Sequence, residues 1–249
     1  MSSRRAVVPK RGASADPAAN PVPGVPSAPA ALDGAGGATP APAPKPAAGP
    51  GVRNNAAILG FIGASGSGKS RSIRAHLERA KPRRLVLWDP MDEYADLAQA
   101  QPTLVATFAS VARGVPARYV PRGGMDTWAQ QFGAFCAGAY QLGRMTVVIE
   151  ELADVTQPAF APPAWARCTR SGRHQGLVIL AASQRPASID KSFLGNCSRV
   201  RCFRLNWTGD VRVMAGILGT PPEELQRLVP GQWVERDLLT GEIRRGSLP

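Results

Sequence analysis

The chain has 249 residues, 44% of them hydrophobic, and a formal net charge of +12. That is enough apolar material for one substantial domain. No apolar run approaches the roughly 18 residues of a membrane span, and the basic start around Arg4 and Arg5 is followed by no apolar stretch of the signal-peptide kind. The four cysteines, Cys136, Cys168, Cys197 and Cys202, form no Cys-x-x-Cys pair, and His76 and His174 complete no zinc pattern. They read as reduced core thiols of a cytosolic protein. The excess of Lys and Arg fits a polyanionic partner such as nucleic acid; free use of Arg in a high-GC genome would also give it.

Residues 1–52 are dominated by Ala, Pro and Gly, with no aromatic residue and a Pro-Ala-Pro-Ala-Pro-Lys-Pro run at 40–46. Such a segment cannot bury enough apolar surface to offset its chain entropy, so it is expected to be disordered with extended stretches. Its basic tip (Arg4, Arg5, Lys10, Arg11) suits contact with DNA or an acidic partner, or simply solubility.

A single domain is expected from residue 53 onward. An apolar run, Ala57 to Ile62, predicts a strand, and Ser70 to Arg79 a helix. Between them Gly63, Gly68, Lys69 and Ser70 match G-x-x-x-x-G-K-[ST], the phosphate-binding P-loop. Gly63, Gly66 and Gly68 would let backbone N–H groups close around phosphate oxygens, and the helix N-terminus adds partial positive charge. The whole loop, Gly63, Ala64, Ser65, Gly66, Ser67, Gly68, Lys69 and Ser70, is the candidate ATP-binding segment. Lys69 would reach the β and γ phosphates, and Ser70 would offer its hydroxyl to Mg²⁺.

A second strand is expected at Arg84–Asp89, ending in Asp89-Pro-Met-Asp-Glu-Tyr94, and short strands at Thr103–Phe108 and Ala117–Val120. Helical spacing runs from Asp126 to Leu142, with Asp126 or Thr127 as N-cap. A buried strand, Thr146 to Ile149, ends in Glu150 and Glu151; a helix is expected over Ala164–Gly172, and a buried strand over Leu177–Ser183, ending at Gln184. Then follow a strand at Arg199–Leu205, short helices at Val211–Leu218 and Pro222–Leu228, and a closing hairpin of Gln232–Glu235 with Glu242–Arg245. Apolar runs alternating with helices predict an α/β fold, a mostly parallel central sheet with helices on both faces. Ligands in such sheets bind beyond the carboxyl ends of the strands, where Lys69, Asp89, Glu150, Glu151 and Gln184 are expected.

Nucleotide hydrolysis needs phosphates held, Mg²⁺ anchored, a water oriented and transition-state charge neutralised. Glu150 and Glu151 follow an apolar strand in the manner of a Walker B end. Glu150 is assigned to Mg²⁺ and Glu151 to the general base, with an exchange of the two roles as the alternative. Gln184 is a strand cap or a γ-phosphate contact. Arg167, Arg170 and Arg173 recur every three residues and so are expected near one helix face. They suit either a finger onto a neighbouring subunit's nucleotide or a basic stripe facing DNA.

The P-loop, the acids after Ile149, Ser171-Gly-Arg-His-Gln-Gly176, Ala182-Ser-Gln-Arg-Pro186 and Asp89-Pro-Met-Asp-Glu-Tyr94 resemble the FtsK–HerA superfamily of DNA-pumping ATPases. The resemblance covers about residues 55 to 205. Within that superfamily a compact single ATPase domain resembles the genome-packaging ATPases of membrane-containing, double-jelly-roll viruses. The resemblance implies a RecA-like (ASCE) P-loop NTPase fold, with Gln184 as sensor and Arg173, or Arg170 in its place, as the trans-acting finger. It also implies a homo-oligomeric ring, a hexamer, that moves double-stranded DNA with ATP and Mg²⁺. Portal or membrane-vertex proteins would be further partners, in the host cytoplasm or the virion. Glu150 stands where the family has Asp, and the C-terminal membrane span of the similar Zot-like filamentous-phage assembly ATPases is not seen. That assembly role, a conjugative DNA-transfer ATPase, a P-loop small-molecule kinase and a nucleotide-dependent adaptor are the competing readings.

Overall fold

The computed structural model describes residues 57–249; the Ala/Pro/Gly-rich tail expected over 1–52 lies outside them. Nine strands form one sheet in the order β3-β4-β2-β5-β6-β1-β7-β8-β9. The strands are β1 (Ile58–Ile62), β2 (Leu85–Trp88), β3 (Gln99–Ala100), β4 (Ala117–Tyr119), β5 (Thr146–Ile149), β6 (Val178–Ser183), β7 (Arg199–Phe203), β8 (Gln232–Asp237) and β9 (Ile243–Ser247). β3 through β7 pair in parallel; β8 and β9 close the sheet as an antiparallel hairpin.

The helices are α1 (Lys69–Ala80), α2 (Leu104–Ala112), α3 (Met125–Leu142), α4 (Pro163–Ser171), α5 (Lys191–Asn196), α6 (Thr208–Leu218) and α7 (Pro222–Arg227). Alternate residues of the central strands feed two cores, because successive side chains point to opposite faces. Leu59, Phe61, Leu85, Leu87 and Val148 pack with Ile73 and Leu77 of α1 on one face. Ile62, Val86, Trp88, Val147 and Ile149 pack with residues of α2 to α7 on the other. Trp88 anchors the larger core, its ring centroid 5.2 Å from that of Phe132 and 5.7 Å from that of Phe135. All four cysteines are buried, and none forms a disulfide among the described residues. No helix among the described residues is long and apolar enough to cross a membrane.

Three local expectations are corrected. Residues 103–108 are not a strand. Thr103 caps α2, its hydroxyl accepting from the Ala106 N–H at 3.1 Å, and Thr107, Ser110 and Val111 turn a helical stripe inward. The side-chain cap outweighs the β-branched composition that suggested a strand. α3 begins after Gly124, with neither Asp126 nor Thr127 as cap; the Thr127 hydroxyl instead donates to the Gly124 carbonyl at 2.8 Å and ties the preceding turn. Arg173 stands outside α4, in a 3₁₀ turn over Gly172–Gln175. Arg167 and Arg170 stay on α4, where Arg167 stacks on the Tyr140 ring at 5.1 Å.

Two features of the sheet position the site. β6 is inserted between β1 and β5, so the ends carrying the P-loop, Gln184 and Glu151 are neighbours at one edge. Beyond β2, the buried Asp89 carboxylate accepts from the backbone N–H groups of Glu93 (2.9 Å) and Tyr94 (3.0 Å) and pairs with the buried Arg118 at 3.3 Å. Arg118 also binds Asp92 and donates to the Ala98 carbonyl at 3.0 Å. Removing one partner of such a pair leaves a buried charge uncompensated. Arg118→Ala should therefore lower unfolding free energy by about 3–5 kcal/mol in urea denaturation, while alanine at the exposed Arg113 should change it by less than about 0.5 kcal/mol.

Candidate active site

The loop between β1 and α1 is built by close backbone approach. A Cβ on Gly63 would lie 2.5 Å from Ser67 Oγ and 2.7 Å from Phe203 Cβ, so only glycine fits there. Gly68, which precedes α1, has φ +118°, outside the range of ordinary L-residues. The loop is pinned from outside: Ala64 N–H donates to the Arg204 carbonyl (2.9 Å) and Gly231 N–H to the Ser67 carbonyl (2.9 Å). The first N–H groups of α1 have no intrahelical partner and converge with the helix dipole on one anion position. Ser67 Oγ is buried with no hydrogen-bond partner among the described residues, and a bound phosphate would supply one. The residues present fit a nucleoside triphosphate's phosphates.

Lys69 is buried at the start of α1, and its Nζ donates to the Ala64 carbonyl at 3.1 Å. Burial pulls its pKa below the usual lysine value, against the opposing fields of Glu151, Glu150 and Glu93. The Ser70 hydroxyl donates to Glu93 at 3.3 Å. Glu150 is buried and accepts a hydrogen bond from the Tyr94 hydroxyl. Its carboxyl is pushed up to about 7, chiefly by burial, with the Tyr94 bond and the Lys69 charge acting in the opposite direction.

Glu151 takes a left-handed backbone conformation, φ 46°, at the turn out of β5, which swings its side chain away from Glu150. Its carboxylate accepts from the Ser183 hydroxyl and from the Gln184 N–H, both at 3.2 Å. Gln184 thus touches Glu151 through its backbone, at the end of the inserted strand. The structure gathers Lys69, Ser70, Glu150, Glu151 and Gln184 at one edge. Arg170 and Arg173 it leaves at the other, before the amino end of β6; the five residue steps from Val178 to Ser183 span roughly 16 Å at about 3.3 Å per step.

Glu93 and Tyr94 were not singled out in the sequence. Their signal was present in Asp89-x-x-x-Glu93-Tyr94, where a short acid after a strand caps the turn four and five residues on. The hard oxygen donors of Ser70, Glu93 and Glu150 suit Mg²⁺. Among the described residues no cluster of three or more His, Cys, Asp or Glu forms a closed metal cage.

The raised Glu150 pKa has a stability consequence. The folded chain holds this proton more tightly than the unfolded one, so Glu150 favours folding at low pH and loses that contribution as pH rises from about 4.5 to about 7. Thermal melts of the nucleotide-free protein should show this loss over that window, and Glu150→Gln should flatten it. An unchanged pH profile in the variant would place the titration elsewhere.

No protein-family model matches the chain. Protein P9 of Pseudoalteromonas phage PM2 is 28% identical over 192 residues, which cover 72% of this chain and 84% of the phage protein. The genome packaging NTPase B204 of Sulfolobus turreted icosahedral virus 2, in complex with AMP, superposes with a TM-score of 0.64 at 17% identity, covering 78% of this chain and 98% of that one. VirB4 of Thermoanaerobacter pseudethanolicus superposes with a TM-score of 0.60 at 10% identity, covering 77% and 89%. Motif, strand order and superposition agree: this chain has the P-loop NTPase fold shared by B204 and VirB4.

Proposed function

We propose that the chain is an ATPase that drives double-stranded DNA into a viral particle, working as a ring of identical copies. One observation carries the hydrolytic part: β6 inserted between β1 and β5 sets Glu151 across from the P-loop, hydrogen-bonded to the end of the intervening strand. In this reading the P-loop holds the phosphates, and Lys69 offsets charge developing on the γ-phosphate. Ser70 and Glu150, with Glu93, would hold Mg²⁺, which when bound would offset negative charge on the phosphates. Glu151 orients and deprotonates the attacking water. Gln184 reports the presence of the γ-phosphate to the loop that follows it.

The amino-edge position of Arg173 and Arg170 supports a ring. Both are too far to serve their own nucleotide, but a head-to-tail copy could bring them against the next P-loop. The net charge of +12 suits tracking along phosphates. The likeness to B204, a genome packaging NTPase, supports packaging as the purpose of the motor, and a place at a membrane vertex, by host cytoplasm or virion, follows from that reading.

Specific activity should rise with protein concentration and with added duplex DNA. Arg173→Ala should lower it by about 10³-fold, and mixing Arg173→Ala with Lys69→Ala protein should restore part of it, because a mixed ring contains sites with both halves intact. Turnover independent of concentration and DNA, with no rescue on mixing, would overturn the ring motor. Glu151→Gln should keep nucleotide affinity while losing about 10²- to 10⁴-fold in hydrolysis, and virus carrying it should yield particles without genome.

A further inference from the structure

Beyond the phosphate site, the catalytic edge carries a second constellation. After β6, Arg185 N–H donates to Ser183 Oγ at 3.2 Å, the same hydroxyl that donates to Glu151. Arg185 Nε donates to Asp210 at 2.9 Å, and Asp210, 1% exposed, also accepts from the Ala187 N–H at 3.0 Å. The Arg185 guanidinium lies over the Trp207 ring at 5.1 Å. Trp207 is 63% exposed, in the connection from β7 to α6. The same connection reaches the P-loop at its other end: the Arg204 carbonyl receives Ala64 N–H, and Arg204 and Asn206 line a cavity of about 100 Å³ beside Ala64–Ser67.

Packing does not account for this arrangement. An indole left mostly in water, with a cation on its face, gains little from burial. The Arg185 Nη groups make no hydrogen bond among the described residues, and the nearby acid, Asp210, is already engaged. Arg204 is exposed and has no ion pair among the described residues. A largely exposed indole carrying the half-exposed Arg185 guanidinium, with the exposed Arg204 in the same connection, matches the chemistry of a nucleic-acid strand.

We propose that Arg185, Trp207 and Arg204 form a contact surface for a nucleic-acid strand, joined through Ser183 to Glu151. The inference rests on the DNA-motor reading above and adds to it where the polymer touches the chain and how its arrival reaches the hydrolytic acid. A phosphate drawn to Arg185 tugs the segment whose N–H groups bind Ser183 and Glu151, so strand contact and the placing of Glu151 move together.

The test uses the full chain, fluorescence anisotropy with labelled 20-mer duplex and single-stranded DNA, and DNA-stimulated ATPase. Trp207→Ala should weaken binding about 5- to 100-fold, with Trp207→Phe recovering most of it, and should lower the stimulation by DNA. Arg204→Gln should reduce the slope of log affinity against log salt by about one. Affinity for a fluorescent ATP analogue, unchanged in Trp207→Ala, checks that the variant is folded. If wild-type protein binds DNA and all three variants bind it equally well, this surface is refuted while the motor stands. If wild-type protein binds neither form at low salt, the motor reading falls and takes the surface with it. If Trp207→Ala keeps DNA affinity but changes the mass of the assembly, the pair belongs to a contact between copies and the inference is overturned.

Discussion

The buried Asp89 carboxylate holds the segment after β2 in one shape. It receives two backbone N–H groups and a buried guanidinium. A carboxylate removed from water is tolerated only when its oxygens are satisfied in this way. The result is a rigid turn that delivers Glu93 to Ser70 and Tyr94 to Glu150. Without it neither the hard-oxygen donors beside the P-loop nor the shielded state of Glu150 would be set. Asp89 stands at a strand end like the site acids, but its work is to position others.

The two consecutive glutamates have been given opposite surroundings by a single backbone rotation. Glu150 continues the strand inward, under Tyr94, where burial raises its pKa. Glu151, in a left-handed conformation, turns toward β6 and is held by Ser183 and Gln184. A left-handed non-glycine residue costs on the order of 1–3 kcal/mol, and such strain persists where the surroundings over-determine it. Here they do, through two hydrogen bonds from the adjacent strand. Tyr94 reaches the Glu150 carboxyl from across the turn that Asp89 holds.

The inserted strand also decides which side chains share an edge. Parallel strands place their carboxyl ends together and their amino ends together. Acids, P-loop and Gln184 therefore collect at one edge, while the arginines that precede β6 are left at the other. The same topology brings the β6–α5 and β7–α6 connections side by side, which is how Arg185 comes to lie on Trp207.

What could be read directly was what is local in sequence. The P-loop announces itself because backbone geometry dictates glycine, lysine and hydroxyl at fixed spacing, and the buried strands because both of their faces are apolar. Helix α2 was misread because β-branched residues suit a strand until one hydroxyl caps the first turn, and the three arginines were assigned one helix face because spacing cannot show that α4 tightens into a 3₁₀ turn before Arg173. The segment holding Glu93 and Tyr94 was legible but their partners, and the Arg185–Trp207 pair, were not, since each contact joins residues 22 to 56 positions apart. The sequence by itself determined a complete P-loop motif and two acids after a buried strand. Only the tertiary structure decided which acid is shielded under Tyr94 and which turns to Ser183 and Gln184, because strand order and the turn fixed by Asp89 set the local dielectric and hydrogen-bond partners.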